Sequence, residues 1–369
     1  MPDLVSGILT VSKDGSGTLR DPQSFWKTRD KIANVARYDI RDLKLVTGAR
    51  IEGVVERDRR FGRVVRRIHR VCGLPPDQFR RRAPFDRLVS IDPTERFHIG
   101  RSERMTMRVM DLFCPIGKGT RGLIVSPPKA GKTTILEDLA NAILAEHPSA
   151  RVIALLVDER PEEVTNFRRA TSAEVWASNM DQSYADHVRL VNLALAHVRC
   201  ELECGADVVV LCDSLTRMAR AFNVEGGGSG RTMTGGLDAS AMQTPRRFFG
   251  LARNIEDGGS VTVLATALID TGSRMDNLIF EEFKGTGNSE IVLDRELSEL
   301  RIFPAINING SGTRREEKLY TEYELTMVRR LRRVLADHSP AEALSRLLAA
   351  MRGSSNNEEF LASLPGAND

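Results

Sequence analysis

One stretch constrains this chain more than any other. Gly122-Leu123-Ile124-Val125-Ser126 is an apolar run that enters the compact turn Pro127-Pro128-Lys129-Ala130-Gly131 and leaves it as Lys132-Thr133-Thr134, where helical signals begin. A buried strand, a tight turn and a helix start aim the backbone N–H groups of residues 129–133 at one point, and the helix N-terminus adds partial positive charge there. Such a turn cradles phosphate. Lys132 is placed to reach the β- and γ-phosphates of a nucleotide and the Thr133 hydroxyl to hold Mg²⁺. Ser126 stands where the common loop pattern has glycine.

From Met105 onward the turn has company. Apolar runs at 121–125, 151–157, 207–212, 260–265 and 300–303 alternate with helical stretches. Continuous β-branched runs bounded by helices predict an α/β fold, a mostly parallel sheet covered on both faces, with ligands beyond the carboxyl ends of the strands. Two acids end two of these runs. Asp213 suits Mg²⁺, directly or through water, and Glu159 suits orienting or deprotonating an attacking water. Either acid alone is also a common helix cap.

The first quarter has a different character. Short strand signals separated by turns, at 7–11, 13–20, 50–55 and 62–68, predict a small five-stranded barrel. The net charge is only +3, yet Arg57, Arg59, Arg60, Arg63, Arg66 and Arg67 crowd this part. That is an anion-binding footprint or a solvated basic face. Alternation turns Ser16 and Thr18 outward, where a reader of single-stranded nucleic acid usually displays stacking aromatics; Phe25, Trp26, Tyr38 and Phe61 fall in loops or at strand ends. The barrel is therefore expected to grip a nucleic-acid backbone through cations such as Arg20 and Arg63, with weak sequence preference and strong salt dependence. The expected division is a barrel over 1–73, a proline-rich basic connector over 74–104, and the α/β core with C-terminal helices over 105–369.

Other features exclude or add function. No run approaches a membrane span and 1–10 lacks a signal layout, so a cytoplasmic location with no membrane partner is expected. The five cysteines lack CxxC spacing. Cys200 and Cys204 lie one helical turn apart without an obvious partner, and all five are expected to be reduced core residues rather than a disulfide framework or zinc site. The glycine-rich stretch 223–241 around Arg231, and Thr271-Gly272-Ser273-Arg274, suit close approach to a polyanion, though both also suit mobile surface loops. Arg314 sits in a glycine turn. It is either a surface residue paired with Glu316 or Glu317, or a finger reaching a γ-phosphate in a neighbouring subunit.

The residues at 126–133, 158–164, 234–238, 246–254, 265–273, 281–288 and 303–314 together resemble the bacterial transcription termination factor Rho family. Asp-Glu-Arg-Pro-Glu-Glu-Val and Glu-Glu-Phe-Lys-Gly-Thr-Gly-Asn are not general nucleotide-hydrolase motifs. The resemblance implies a RecA-like P-loop core preceded by an OB or cold-shock-like barrel. It implies a homohexamer that hydrolyses ATP with Mg²⁺, moves along single-stranded RNA and dislodges the RNA polymerase elongation complex. It further implies that Lys129, Ala130, Gly131, Lys132, Thr133 and Thr134 form the nucleotide loop, that Glu159 is catalytic, and that Asp213 holds the metal with Thr133. Arg160 and Arg217 would couple the site to the pore, Phe303 would pack on adenine, and Arg314 would act in trans. Arg231, Thr234 and Gly235 match one pore loop and Thr271 to Arg274 the other, where family members often carry Lys in place of Arg274. The chain departs from the family where two phenylalanines give way to Ser16 and Thr18 and a third aromatic to Asn34, which leaves RNA sequence preference open. A Rho-like regulator without termination activity and another ring ATPase are the competing expectations.

Overall fold

The computed structural model describes residues 3–23, 31–226 and 236–365. Strands β1 (Asp3–Val11), β2 (Gly17–Arg20), β3 (Lys31–Val35), β4 (Arg50–Asp58) and β5 (Gly62–Val71) close into a barrel in the order β1-β2-β3-β5-β4. Alternation sends Leu9, Leu19, Val35, Ile51, Val55 and Val65 into its core. The register Thr10↔Thr18↔Asn34 lines these residues up on the outer face, as expected for Thr18. β2 is shorter than the expected run from Lys13, because Asp14 Oδ1 accepts hydrogen bonds from the Ser16 N–H (3.0 Å) and hydroxyl (2.7 Å) and holds a turn there. Phe25 and Trp26 lie outside the described residues.

A short helix, α1 (Arg37–Asp42), bridges β3 and β4, and α2 (Pro76–Arg80) follows β5. The stretch 74–104 is packed: Phe79, Phe97 and Ile99 are fully buried, and β6 (Ser90–Ile91) pairs with the sheet through β11.

The core is a nine-stranded sheet. Its strands are β6, β7 (Arg121–Ser126), β8 (Arg151–Glu159), β9 (Glu174–Asn179), β10 (Asp207–Asp213), β11 (Arg253–Ile255), β12 (Ser260–Leu268), β13 (Ser289–Val292) and β14 (Gly312–Thr313). They run β14-β13-β7-β12-β10-β8-β9, with β11 and β6 beside β12; β13 through β9 in that order are all parallel. On one face pack α3 (Met105–Phe113), α4 (Lys132–Glu146) and α5 (Pro161–Ala170). On the other pack α6 (Tyr184–Glu203), α7 (Leu215–Gly226), α8 (Gln243–Phe249) and α9 (Arg274–Lys284). The helices α10 (Arg295–Glu299), α11 (Glu322–Leu335), α12 (Pro340–Met351) and α13 (Asn357–Ala362) extend the first layer. Successive residues of a strand feed opposite layers, Ile124 to one and Leu123 and Val125 to the other, which is why these strands read as unbroken apolar runs. No helix among the described residues is long and apolar enough to cross a membrane.

One expected strand is corrected. Residues 300–303 are not in the sheet; Leu300 and Phe303 are about half exposed. Asp294 Oδ1 accepts from the Glu296 and Leu297 N–H groups and starts α10, Arg301 takes a left-handed φ of 59°, and Pro304 has no N–H to give. The sheet position belongs to β13.

The barrel is seated on the core rather than tethered beside it. Arg50 Nη2 lies 2.5 Å from Glu174 Oε2, Arg82 Nε 2.9 Å from Glu203 Oε2, and the Gly48 carbonyl 2.8 Å from His197 Nδ1. Gly48 has φ +94° and presses on α6: a Cβ there would stand 2.4 Å from the Ala196 carbonyl carbon. Gly48→Ala should therefore cost about 2–4 kcal/mol in chemical denaturation. The control Gly285→Ala, where a Cβ meets nothing within 4 Å, should change the midpoint little. Equal midpoints for both variants would show that the seat is not tight.

Candidate functional site

The turn after β7 is wound as the sequence requires. Lys129 and Gly131 take left-handed φ angles of 67° and 89°, and α4 begins at Lys132. Ser126 is fully buried, and its hydroxyl donates to the Pro127 carbonyl at 2.9 Å, so the residue that departs from the common pattern is absorbed locally. Lys132 leaves the first turn of α4 and reaches across β12 to the ends of β10 and β8. Its Nζ lies 2.5 Å from Asp213 Oδ2 and 3.4 Å from Glu159 Oε2.

Both acids are held from behind. The Thr266 hydroxyl in β12 donates to Asp213 Oδ1 at 2.8 Å. Arg217 Nη2 lies 3.1 Å from Glu159 Oε1, while its Nη1 donates to the Asp158 carbonyl. Glu159 is aimed by an irregularity in β8: the register slips between Leu156 and Glu159, and Asp158 takes φ 55°, so the carboxylate turns toward the loop instead of continuing the alternation.

The electrostatics follow from this packing. Glu159 is 2% and Asp213 1% exposed. Burial raises the Glu159 carboxyl above its ordinary range; Lys132 opposes this, Asp213 adds to it, and Arg217 opposes it again. Burial disfavours the Lys132 ammonium, but Asp213 and Glu159 outweigh it and hold its pKa above the ordinary lysine value.

The other expected residues fall in three places. Beside the loop, the Lys129 carbonyl accepts from the Ser298 hydroxyl at 3.0 Å; Lys129 and Thr134 are exposed, Thr133 is half-buried, and Phe303 lies in the segment that follows α10 with its ring 49% exposed. Arg160 opens α5 and among the described residues pairs only with Glu163, at 3.9 Å; it is not brought to Lys132. Arg314 lies at the other end of the sheet. Thr313 pairs with Ser289 and Ser289 with Gly122, so Arg314 flanks the start of β13, level with the start of β7 one strand away and about 13 Å along the strand direction from the loop that follows Ser126. Its side chain is exposed and has no carboxylate partner among the described residues; Arg315, its neighbour, takes Asp92 at 2.5 Å.

The second polyanion loop is braced. Ser273 caps α9, Gly272 takes φ 76°, and Arg274 opens the helix. The Thr271 hydroxyl donates to Asp276 Oδ2 at 2.6 Å, and Arg220 grips the same carboxylate at 2.6 and 2.8 Å. Arg217 and Arg220 are one turn apart on α7, so one helix touches both Glu159 and this loop. Thr266, Arg220 and Asp276 escaped sequence reasoning, although Ser273-x-x-Asp276 is a cap pattern visible in it. Arg231, Thr234 and Gly235 lie outside the described residues. On the barrel, Arg20 Nε donates to the Thr10 hydroxyl at 3.3 Å on the expected outer face, and the exposed Arg63 lies 3.3 Å from Asp3.

A stability prediction follows from the triad. Lys132→Ala leaves two adjoining buried carboxylates with less compensation, and the folded-state pKa of Glu159 rises further. A carboxyl raised on folding binds more protons folded than unfolded, so stability is lost as pH rises toward the folded value. The variant should lose more stability than the parent between about pH 5 and pH 8, by about 1.4 kcal/mol per unit of added shift. Identical pH slopes in urea would contradict the pairing.

Residues 106–313 match the model of the ATP synthase alpha/beta family, nucleotide-binding domain. Transcription termination factor Rho of Chromobacterium violaceum is 45% identical over 366 residues, which is 97% of this chain and 87% of that protein. The Aquifex aeolicus Rho is 46% identical over 98% of this chain and 84% of its own length. Among solved structures, a type III secretion system ATPase aligns with TM-score 0.61 at 23% identity over 75% of this chain and 79% of that one, and the assembled EscN ATPase of enteropathogenic E. coli with 0.62 at 21% over 78% and 74%; these share the fold. The chain thus has a RecA-like P-loop core behind an OB-like barrel, carries an ATPase domain, and belongs to the transcription termination factor Rho family.

Proposed function

We propose that this chain hydrolyses ATP with Mg²⁺ at sites shared between the subunits of a homohexameric ring, and uses the energy to move along single-stranded RNA and release it from the RNA polymerase elongation complex. The observation that carries this reading is the separation of Arg314 from its own loop. Lys132, Glu159 and Asp213 converge within one chain, whereas the exposed Arg314 sits at the opposite end of the sheet, out of reach of its own loop, which supports its use by another copy. An arginine supplied in trans stabilises the charge of a transferring phosphoryl group.

The residues then divide the work. Lys132, now neutralising two acids, turns to the β- and γ-phosphates as they enter, with the 129–134 loop binding them and Phe303 covering the base. Glu159, relieved of its lysine and kept aligned by Arg217, takes the proton of the attacking water. A hydroxyl and a carboxylate, Thr133 and Asp213, make a hard-oxygen donor set of the kind Mg²⁺ accepts alongside water and phosphate; when bound, the ion neutralises developing charge on the phosphates. α7 links this event to RNA, since Arg217 touches Glu159 while Arg220 holds Asp276 and through it Thr271, next to Gly272, Ser273 and Arg274. We assign Arg231, Thr234 and Gly235 to the companion loop and Arg160, next to Glu159 at the start of α5, to coupling the site to the pore. The barrel, functionally residues 1–73, would hold RNA backbone through Arg20 and Arg63 beside an outer face of Thr10, Thr18 and Asn34, with the 74–104 stretch carrying the strand toward the core.

Two measurements test this. ATP turnover should rise severalfold or more with mixed-sequence RNA, show little added preference for poly(C), and fall steeply with salt. Equal turnover without any polymer would end the translocase reading, and stimulation by single-stranded DNA alone would point to a regulator that acts on DNA. Glu159→Gln should lower kcat by at least about 10² while leaving nucleotide affinity intact. Because burial raises the Glu159 carboxyl, the acid limb of the parent's pH profile should lie above the ordinary glutamate value of 4.5; a limb at or below it would remove Glu159 as the base.

A further inference from the structure

The fold brings together three cysteines that sequence spacing keeps apart. Cys200 and Cys204 are one turn apart at the end of α6, and the chain reversal after β5 delivers Cys72 to them from the barrel, with Cys72 and Cys200 sulfurs 3.6 Å apart. The expectation that Cys200 and Cys204 have no partner is therefore corrected: all three sulfurs lie within 4.8 Å of one another, and all are free thiols. Cysteines 114 and 212 are buried elsewhere and take no part.

We infer that Cys72, Cys200 and Cys204 form a site for one thiophilic divalent ion, of which zinc is the type, stapling the barrel to α6. Three thiolates bound at about 2.3 Å to a tetrahedral ion stand about 3.8 Å apart, so the free trio is already near the spacing it would have when loaded. The placement is held by the backbone, since the Cys72 N–H donates to the Arg50 carbonyl at 2.8 Å and the Arg50 N–H donates to the Cys72 sulfur at 3.4 Å. Cys72 and Cys200 are buried while Cys204 is half-buried, which leaves an approach from its side.

The fourth position of the tetrahedron falls to water, entering from the Cys204 side. Loading exchanges the thiol protons for the cation and releases them to solvent, so affinity rises with pH. A site that ties β5 to α6 joins the barrel to the core at a point well removed from the nucleotide loop.

The test uses the full chain, reduced and stripped with a chelator, then titrated with Co²⁺ and afterwards with Zn²⁺. One cobalt per chain should bind with sulfur-to-cobalt charge-transfer absorption and the visible bands of a tetrahedral centre, and zinc should displace it. Cys72→Ser, Cys200→Ser and Cys204→Ser should each weaken binding about tenfold or more, while Cys114→Ala should not. Circular dichroism melts of the metal-free variants separate loss of ligand from loss of fold, and the half-buried Cys204 is the variant least prone to misfold. Zinc should raise the melting midpoint of the parent but not of Cys204→Ser. Absence of the charge-transfer band in the folded parent, its persistence in Cys204→Ser, or a Cys72–Cys200 disulfide with no cobalt uptake after reduction would overturn the assignment.

Discussion

Lys132 between Asp213 and Glu159 is the interaction around which the core is arranged. Two acids this deeply buried remain ionised beside each other only when a cation compensates them, and losing one member of such a group costs about 3–5 kcal/mol. The lysine gets there only because the loop winds through two left-handed residues and starts α4 aimed across β12. Thr266 fixes one acid from below, and Arg217 and the slip in β8 fix the other. The ammonium that compensates both acids is also the group that an entering phosphate would compete for.

The same economy joins distant parts of the molecule. α7 starts immediately after Asp213 and carries Arg217 and Arg220 one turn apart, so a displacement of Glu159 and a displacement of the 271–274 loop bear on one rigid element. At the opposite end of the sheet, Arg314 is left exposed by a β14 strand that ends beside the start of β13. A chain with a complete acid and lysine set at one edge and an uncommitted arginine at the other is suited to being used head to tail. The barrel is seated on α6 through Gly48 and on β9 through Arg50, and Arg82 ties the following stretch to α6, which keeps the barrel in register with that core.

Much of this was legible in the residues. The apolar strands ending in Lys132, Glu159 and Asp213 could be read because a doubly covered parallel sheet needs unbroken β-branched runs and places chemistry at their carboxyl ends. Thr18 could be placed outward because period two leaves no choice. What could not be read depends on contacts between distant segments. The run at 300–303 looks like a strand until the cap at Asp294 and the proline at 304 are weighed. Asp276 looks like a helix cap until Arg220 is brought to it. Cys72 has no meaning beside Cys200 and Cys204 until the barrel closes, since 128 residues separate it from the nearer one.

The proposed sharing of the site between copies is most directly tested by mixing. Arg314→Ala and Lys132→Ala chains are prepared separately, each expected to be inactive in RNA-stimulated ATP turnover, then mixed and allowed to reassemble. If the arginine serves the adjoining subunit, interfaces that pair an intact loop with an intact finger appear in the mixture and turnover returns to a substantial fraction of the parent's. Full activity of Arg314→Ala alone, or no recovery from mixed chains that demonstrably co-assemble, would contradict it.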